Sequence, residues 1–414
     1  MNQSMLTSSS AGSTLRPRAS TAADLHKRTR ALYRPRVELA NVGWICVIAA
    51  GVLTLLGVLA IGTVAPGYAM RHLVHTAVGM VAAAVVAAPH YRWLQRLSYP
   101  LLIAVIAMLI FVLIPVVPEW LVEPRKGARR WISVGITDFQ PSELAKFAYI
   151  LALACYLRYR SNYRYFGGLL LPLILTFIPV GLIVVEPDLG TAMLFLPTFF
   201  AMMIAAGAKI KHVIAIILLG LSIAPAMYPL LEPHQKDRIQ AMIAQIEGNE
   251  RYTSGIGFQG AQAMTLVGSG QITGAGKQHA ADLVKFNALP EDHNDMIFAV
   301  ICSRWGLLGA LATWGLFMIL TIGGLLVAGL SKDPFGRLVA VGIVAMIFAQ
   351  MVVNTGMTIG LLPITGLTLP FVSAGGSSLV ATWLMIGLLL NIGMRRPQYL
   401  ARQSFEFDGS TDEA

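Results

Sequence analysis

Apolar residues come in blocks of about twenty along nearly the whole chain from residue 40 to residue 394, separated by short polar or Gly/Pro-rich breaks. A helix rises about 1.5 Å per residue, so about twenty apolar residues cross the hydrocarbon core of a bilayer. The blocks at 40–63, 72–90, 98–117, 142–159, 167–186, 189–207, 210–231, 304–330, 338–358 and 375–394 each approach that length. Backbone polar groups in lipid must be satisfied within the segment, which favours helices for all of them. The pattern predicts an all-α polytopic membrane protein of about ten transmembrane helices. Only Glu186, Pro187 and Asp188 separate the fifth and sixth blocks, and two carboxylates there argue that the chain surfaces.

The breaks differ in kind. Residues 1–38 form a polar Ser/Thr/Arg-rich arm without an apolar core, which reads as a disordered cytoplasmic segment and not as a cleavable signal peptide. The membrane domain is expected over 39–397, and a short tail follows at 398–414. The break at 232–294 is too long for a connector. Its glycines alternate with Ile256, Phe258, Met264, Leu266 and Val267, which suggests short interfacial or re-entrant helices. Residues 360–378 are apolar but too rich in Gly and Pro for one straight helix, so they are expected as irregular backbone lining a cavity.

Charge orients the bundle. With the N-terminus inside, Arg92 and Arg96, Arg158 and Arg160, Lys209 and Lys211, Lys332 and Arg337, and Arg395 and Arg396 all fall on the cytoplasmic side, as the positive-inside rule expects. Both termini are then cytoplasmic. Hydrophobic residues make up 56% of the chain and charged residues 13%, which no soluble core requires. The net charge of +10 is explained by basic loops and does not call for nucleic acid. Cys46, Cys155 and Cys302 sit in apolar stretches and read as core residues. His72, His75 and His90 flank the second block and read as interfacial; His279 lacks a zinc-spaced partner. No phosphate loop with a Lys-Ser/Thr end occurs, so no nucleotide is expected.

The outside loops carry basic residues that topology alone disfavours: Arg125, Lys126, Arg129 and Arg130, then Lys146, and Lys236, Arg238, Arg251, Lys277 and Lys285. They are either a solvated face with ion pairs or a pocket for an anionic, membrane-borne substrate. Pro141 starts a helix, and Glu143 and Lys146 then share a face, for mutual neutralisation or substrate contact. Asp188 suits a helix cap that braces the pocket. In Leu289–Phe298, acids and a His crowd the edge of an apolar run, where a carboxylate serves as a general base or a helix cap.

Six stretches, in order, resemble the SEDS family of bacterial cell-wall proteins, the RodA/FtsW group: GARRWI (127–132), FQPSELAK (139–146), EPDLGTA (186–192), FQGAQAMTLVGSGQITGAG (258–276), LPEDHNDMIFAV (289–300) and GLLPITGLTLPFVSAGGSS (360–378). The resemblance implies a peptidoglycan glycosyltransferase that polymerises lipid II at the outer face of the cell inner membrane with inversion. It places the catalytic base on Asp295. Arg129, Arg130, Lys146 and Arg238 are the candidates for steadying the pyrophosphate, and Gln140, Ser142, Gln262, Lys277, Ser373 and Ser377 are further candidate substrate contacts. Glu143, Asp188, Glu291 and His293 are expected to support the site electrostatically. A divalent cation, Mg or Mn, could share the pyrophosphate's charge, with no ligand set identified.

The sequence departs from the family at Asn294, at Ala374, and at Cys302-Ser303-Arg304-Trp305, where two acids are usual; Arg304 there would alter the pocket's charge. The expected partners are lipid II, membrane lipid, a class B penicillin-binding protein, and elongasome or divisome proteins. The stretch from Pro363 has features of both the elongation and division branches. Two other functions compete: a lipid II flippase and a non-catalytic scaffold. A flippase needs ionisable groups near mid-membrane, whereas here charge gathers at the outer mouth.

Overall fold

The computed structural model describes residues 40–125, 128–133, 138–158, 166–230, 233–247 and 257–395. The arm 1–38, the tail 398–414, Lys126 and Arg251 lie outside the described residues. Ten helices answer the ten apolar blocks: α1 (Gly43–Val64), α2 (Pro66–Ala87), α3 (Arg92–Leu113), α4 (Pro141–Arg158), α5 (Leu170–Val185), α6 (Leu189–Ala206), α7 (Ile210–Met227), and, after the long loop, α11 (Ile297–Leu330), α12 (Pro334–Thr358) and α13 (Gly376–Met394). The long loop itself carries α8 (Pro233–Ile246), α9 (Phe258–Ser269) and α10 (Gly276–Phe286), in keeping with the short helices expected there. Between α3 and α4 lie two small antiparallel hairpins, β1 (Pro124–Arg125) with β2 (Ala128–Arg129) and β3 (Ile132–Ser133) with β4 (Asp138–Phe139).

Seven of the helices (α1, α2, α3, α6, α11, α12 and α13) are long and apolar enough to cross a membrane by length and composition, and α5 and α7 are shorter apolar helices. The chain is thus a polytopic all-α membrane protein. The tenth, α4, holds Glu143, Lys146 and Arg158 among its 18 residues, yet nearly all of its surface is buried. Helices α3, α5, α6, α12 and α13 enclose it, so lipid does not meet Glu143 or Lys146. Around this centre, α13 packs on α2, and α11 on α1. Small residues permit such contacts where helix association gains little from hydrophobicity. A Cβ at Gly387 of α13 would fall 2.3 Å from the Ala83 carbonyl oxygen of α2. Exposed Leu55, Ile103 and Leu311 form part of the apolar outer surface.

Several expected boundaries move, among them the start of α3, at Arg92 and not at 98. Helix α2 starts at Pro66, a favoured first-turn residue, six residues before the predicted span. His72 is therefore not interfacial: it is buried within α2, with Nε2 3.2 Å from the Phe371 carbonyl oxygen. Helix α11 starts at Ile297 and not at 304, and breaks at Gly306 (φ 64°, ψ −155°), a conformation that favours glycine. Sequence periodicity sees only the part beyond the break, because Ser303 and Arg304 interrupt the apolar run. The preceding segment, Ile297–Ser303, is buried throughout.

The break leaves backbone groups that the long loop satisfies. Leu307 N donates to Gln271 O (2.8 Å), Leu308 N to Ile272 O (3.1 Å), and Ala275 N to Ser303 O (2.9 Å). Arg304 is engaged with α1 and with its own neighbour. Its Nη1 donates to the Leu59 carbonyl and to Thr63 Oγ1 (2.7 Å) of α1, and its guanidinium lies 4.1 Å from the Trp305 ring centre. This departure from the family pattern ties α11 to α1.

Candidate active site

The N-terminal end of α4, the turn between α5 and α6, the start of α11, the C-terminal part of α12 and the loop before α13 converge at one end of the bundle. Asp295 sits two residues before α11 and is 7% exposed. Its backbone oxygen accepts from Asn354 Nδ2 (2.8 Å), and the same amide group donates to Leu367 O (2.6 Å). Asn354 thereby joins α12, the acidic turn and the Gly/Pro-rich loop. Gly366 in that loop (φ 73°) faces Asp295: a Cβ there would lie 3.8 Å from Oδ2.

The acidic turn is built by its own residues. Asn294 Nδ2 donates to Glu291 Oε2 (2.8 Å), and the Asn294 and Met296 amides donate to Glu291 O. His293 Nδ1 lies 2.8 Å from Asp292 Oδ1, its ring rests 4.2 Å from that of Tyr68, and its carbonyl accepts from Ala374 N (3.0 Å). Glu291 and His293 thus shape the segment that presents Asp295.

Beside it lies a second network. Asp188 caps α6, its Oδ1 accepting from Thr191 N (3.1 Å) and its Oδ2 from Gln140 Nε2 (3.0 Å) and, more distantly, Ser142 Oγ (3.5 Å). The cap reading of Asp188 agrees with the structure, and the same carboxylate also joins the start of α4 to the α5–α6 turn. Gln140 N donates to Ser377 Oγ (3.3 Å), which donates to Asp138 O (2.7 Å), so β4 is pinned to the start of α13. Deeper, Lys146 Nζ lies 2.7 Å from Glu143 Oε2, the pairing their spacing suggested, and donates to Gln350 Oε1 (3.3 Å). Gln350 Nε2 continues to Thr368 O (2.9 Å).

The predicted cations divide by role. Arg129 donates through Nη1 to Pro115 O (2.8 Å) and through Nη2 to Val117 O (2.6 Å), fastening the hairpins to the end of α3. Arg130 Nε donates to Glu186 O (2.7 Å) and Nη2 to Pro187 O, fastening them to the α5–α6 turn. Lys146 is fully enclosed. Arg238 of α8 is half-buried and in the field of Asp295 and Asp188. Burial and the charge of Arg130 pull its pKa down, and those two carboxylates oppose the shift. Ser373 is buried and accepts from Leu369 N (2.7 Å), a turn contact. Lys277 is exposed on α10 and Gln262 half-buried on α9, and neither is brought to Asp295 by a described contact.

Sequence reasoning passed over Gln350 and Asn354. Their signal is two amides four residues apart, on one face of an otherwise apolar helix. It also passed over Glu186 as a buried acid. Just past the end of α5, Glu186 is 1% exposed and both carboxyl oxygens lack a hydrogen-bond partner among the described residues. Burial, with nearby Asp188, pushes its pKa up from the ordinary 4.5 to about 8, against the pull of Arg130. Folded protein therefore holds this proton where unfolded chain has lost it. The contribution is complete below pH 4.5 and is lost as pH rises to about 8. Between those values stability is expected to fall by about 1.4 kcal/mol per pH unit from this group. The Glu186→Gln protein should flatten that part of the thermal-unfolding profile in detergent; an unchanged slope would place the titration elsewhere.

No group of three His, Cys, Asp or Glu side chains suited to a metal converges among the described residues. The residues near Asp295 fit a cation only in the open style, with one or two carboxylates sharing it with a bound phosphate.

The sequence profile of the cell cycle protein family FtsW/RodA/SpoVE matches residues 37–398. The chain belongs to this family. Among relatives, the stage V sporulation protein E of Bacillus subtilis (strain 168) is 35% identical over 327 residues, 78% of this chain and 86% of the relative. A probable peptidoglycan glycosyltransferase FtsW of Coxiella burnetii is 34% identical over 333 residues, 78% of this chain and 86% of the relative. The peptidoglycan glycosyltransferase MrdB of Escherichia coli K12 is 32% identical over 272 residues, 66% of this chain and 72% of the relative. Among solved structures, a chain described under the structural coordination of polymerization and crosslinking by a peptidoglycan synthase complex superposes with a TM-score of 0.74 at 30% identity, covering 86% of this chain and 98% of that one. The rod shape determining protein RodA of Thermus thermophilus does so with a TM-score of 0.63 at 29% identity and the same coverage. Membership in the FtsW/RodA/SpoVE family agrees with the six motifs and with the all-helical fold.

Proposed function

We propose that this chain is a peptidoglycan glycosyltransferase that joins lipid II disaccharides into glycan strands at the outer face of the cytoplasmic membrane. The observation that carries the reading is Asp295, held at the lip of the bundle by Asn354 and lying in the field of Arg238. Family membership and the names of its relatives support the reaction class.

In the proposed reaction, Asp295 accepts the proton of the acceptor sugar's hydroxyl. The freed oxygen attacks the anomeric carbon of the donor from the face opposite its pyrophosphate. The bond to the pyrophosphate breaks with inversion, and undecaprenyl pyrophosphate departs. In this reading Arg238, in the field of Asp295, meets the charge that develops on that leaving group, and interactions of this kind often supply the largest catalytic contribution. A Mg or Mn ion, if held by carboxylates near Asp295, would supply further neutralisation of the same charge. Arg129, Arg130, Glu143, Lys146 and Asp188 keep the surrounding segments in register through the bonds described above.

The placement of charge supports the orientation. Arg92, Arg96, Arg158, Lys211, Lys332 and Arg395 belong to helix ends opposite Asp295, which under the positive-inside rule supports an outside Asp295 and cytoplasmic termini. The solved complex with a similar chain supports a crosslinking partner, which we take to be a class B penicillin-binding protein.

The reading is tested with purified protein, lipid II, and a divalent cation present or chelated. Glycan polymer is the expected product. Translocation of lipid II across vesicles without any polymer would replace the enzyme by the flippase reading.

A further inference from the structure

At the end of the bundle away from Asp295, a cavity of about 390 Å³ opens between the start of α3 and the end of α4. It is lined by Arg92, Gln95, Arg96 and Arg158. Arg158 is fixed by two partners: its Nη2 lies 3.3 Å from Asp333 Oδ1, and its Nη1 donates to Gln95 Oε1. Three arginines thus line one small volume, with Asp333 beside it as a partner of Arg158. Guanidinium forks suit phosphate oxygens, and the volume holds on the order of ten water molecules, room for a phosphate with a small polar head.

The wall beside the cavity continues into the apolar surface of the protein. Arg92, Arg96, Tyr99, Ile103 and Ile110 recur at helical spacing, so they share one face of α3, and all five are exposed. The face is cationic at its first turns and apolar along the rest. Trp93, also exposed, lies under the Arg96 guanidinium, 5.4 Å from ring centre to Cζ. A ring of this kind belongs at headgroup depth. A soluble anion would use only the arginines; an acidic lipid would use the arginines and the stripe below them.

We infer that this cavity is a binding site for the phosphate of an acidic membrane phospholipid, whose acyl chain lies along Tyr99, Ile103 and Ile110. It is separate from the Asp295 site: α4 begins beside that site at Pro141 and reaches the cavity only at its last residue, Arg158.

The full-length protein is placed in phosphatidylcholine nanodiscs doped with phosphatidylglycerol, and retained lipid is counted by native mass spectrometry. The Arg92→Gln/Arg96→Gln protein should bind phosphatidylglycerol about thirtyfold more weakly, from ~1 kcal/mol for each arginine. A control, Lys211→Gln/Lys332→Gln, removes equal charge at the same end of the bundle and should retain the lipid. If the control weakens binding as much as the arginine pair does, or neither changes it, the site does not exist. Arg96→Gln alone removes one exposed side chain, should weaken binding about fivefold, and serves if the double variant does not fold. Inorganic phosphate is the second arm. If it displaces the lipid as effectively as short-chain phosphatidylglycerol does, the ligand is a soluble anion and the lipid assignment falls.

Discussion

Replacing Asp295 by Asn is expected to lower polymerisation of lipid II by about 10²–10⁴, the range for loss of a positioned general base. Fold should survive, because the Asn354 amide bonds the backbone oxygen of residue 295, which the substitution keeps. Asn also has nearly the volume of Asp, so the buried position is not emptied. Affinity for lipid II should change far less than turnover. Two assays decide the outcome: glycan formation by the purified protein, and thermal unfolding in the same detergent. A folded Asp295→Asn protein with undiminished turnover would remove Asp295 from the mechanism. Equal loss of binding and turnover would make it a binding group only.

The second large effect concerns stability. Lys146→Met leaves Glu143 buried at 5% exposure without the ammonium 2.7 Å away, and strips Gln350 Oε1 of its donor. Breaking one side of a buried pair typically costs ~3–5 kcal/mol, because the remaining charge stays desolvated. The unfolding midpoint should drop accordingly. Replacing both, as Glu143→Leu/Lys146→Met, removes the stranded charge and should recover most of that loss. Activity of the double variant then separates the two sequence readings of the pair. A stable, active protein makes it internal neutralisation; a stable, inactive one makes it part of the reacting site.

The enclosure of α4 explains why those readings stayed open. Spacing alone put Glu143 and Lys146 on one helix face, and a helix of that composition could stand at the bundle's rim or at its centre. Five neighbouring helices decide the matter, and they come from segments both before and after it in the chain. Arg129 and Arg130 follow the same logic. As residue types in an external loop they suit pyrophosphate, yet their guanidinium groups meet carbonyls at Pro115, Val117, Glu186 and Pro187. No local pattern marks a carbonyl left over at the end of another helix.

What the sequence determined by itself was the membrane domain, its helical blocks, the opposed placement of basic residues, the caps at Pro141 and Asp188, and the acidic turn that carries Asp295. Each rests on composition or on spacing within a few residues, where lipid, helix geometry and capping act locally. Tertiary structure alone decided that α11 breaks at Gly306, that His72 and Glu186 are buried, that Gln350 and Asn354 hold the site's floor, and that Arg238 is the half-buried cation in the field of Asp295. Those outcomes depend on desolvation and on hydrogen-bond partners supplied from distant parts of the chain, which exist only once the helices have packed.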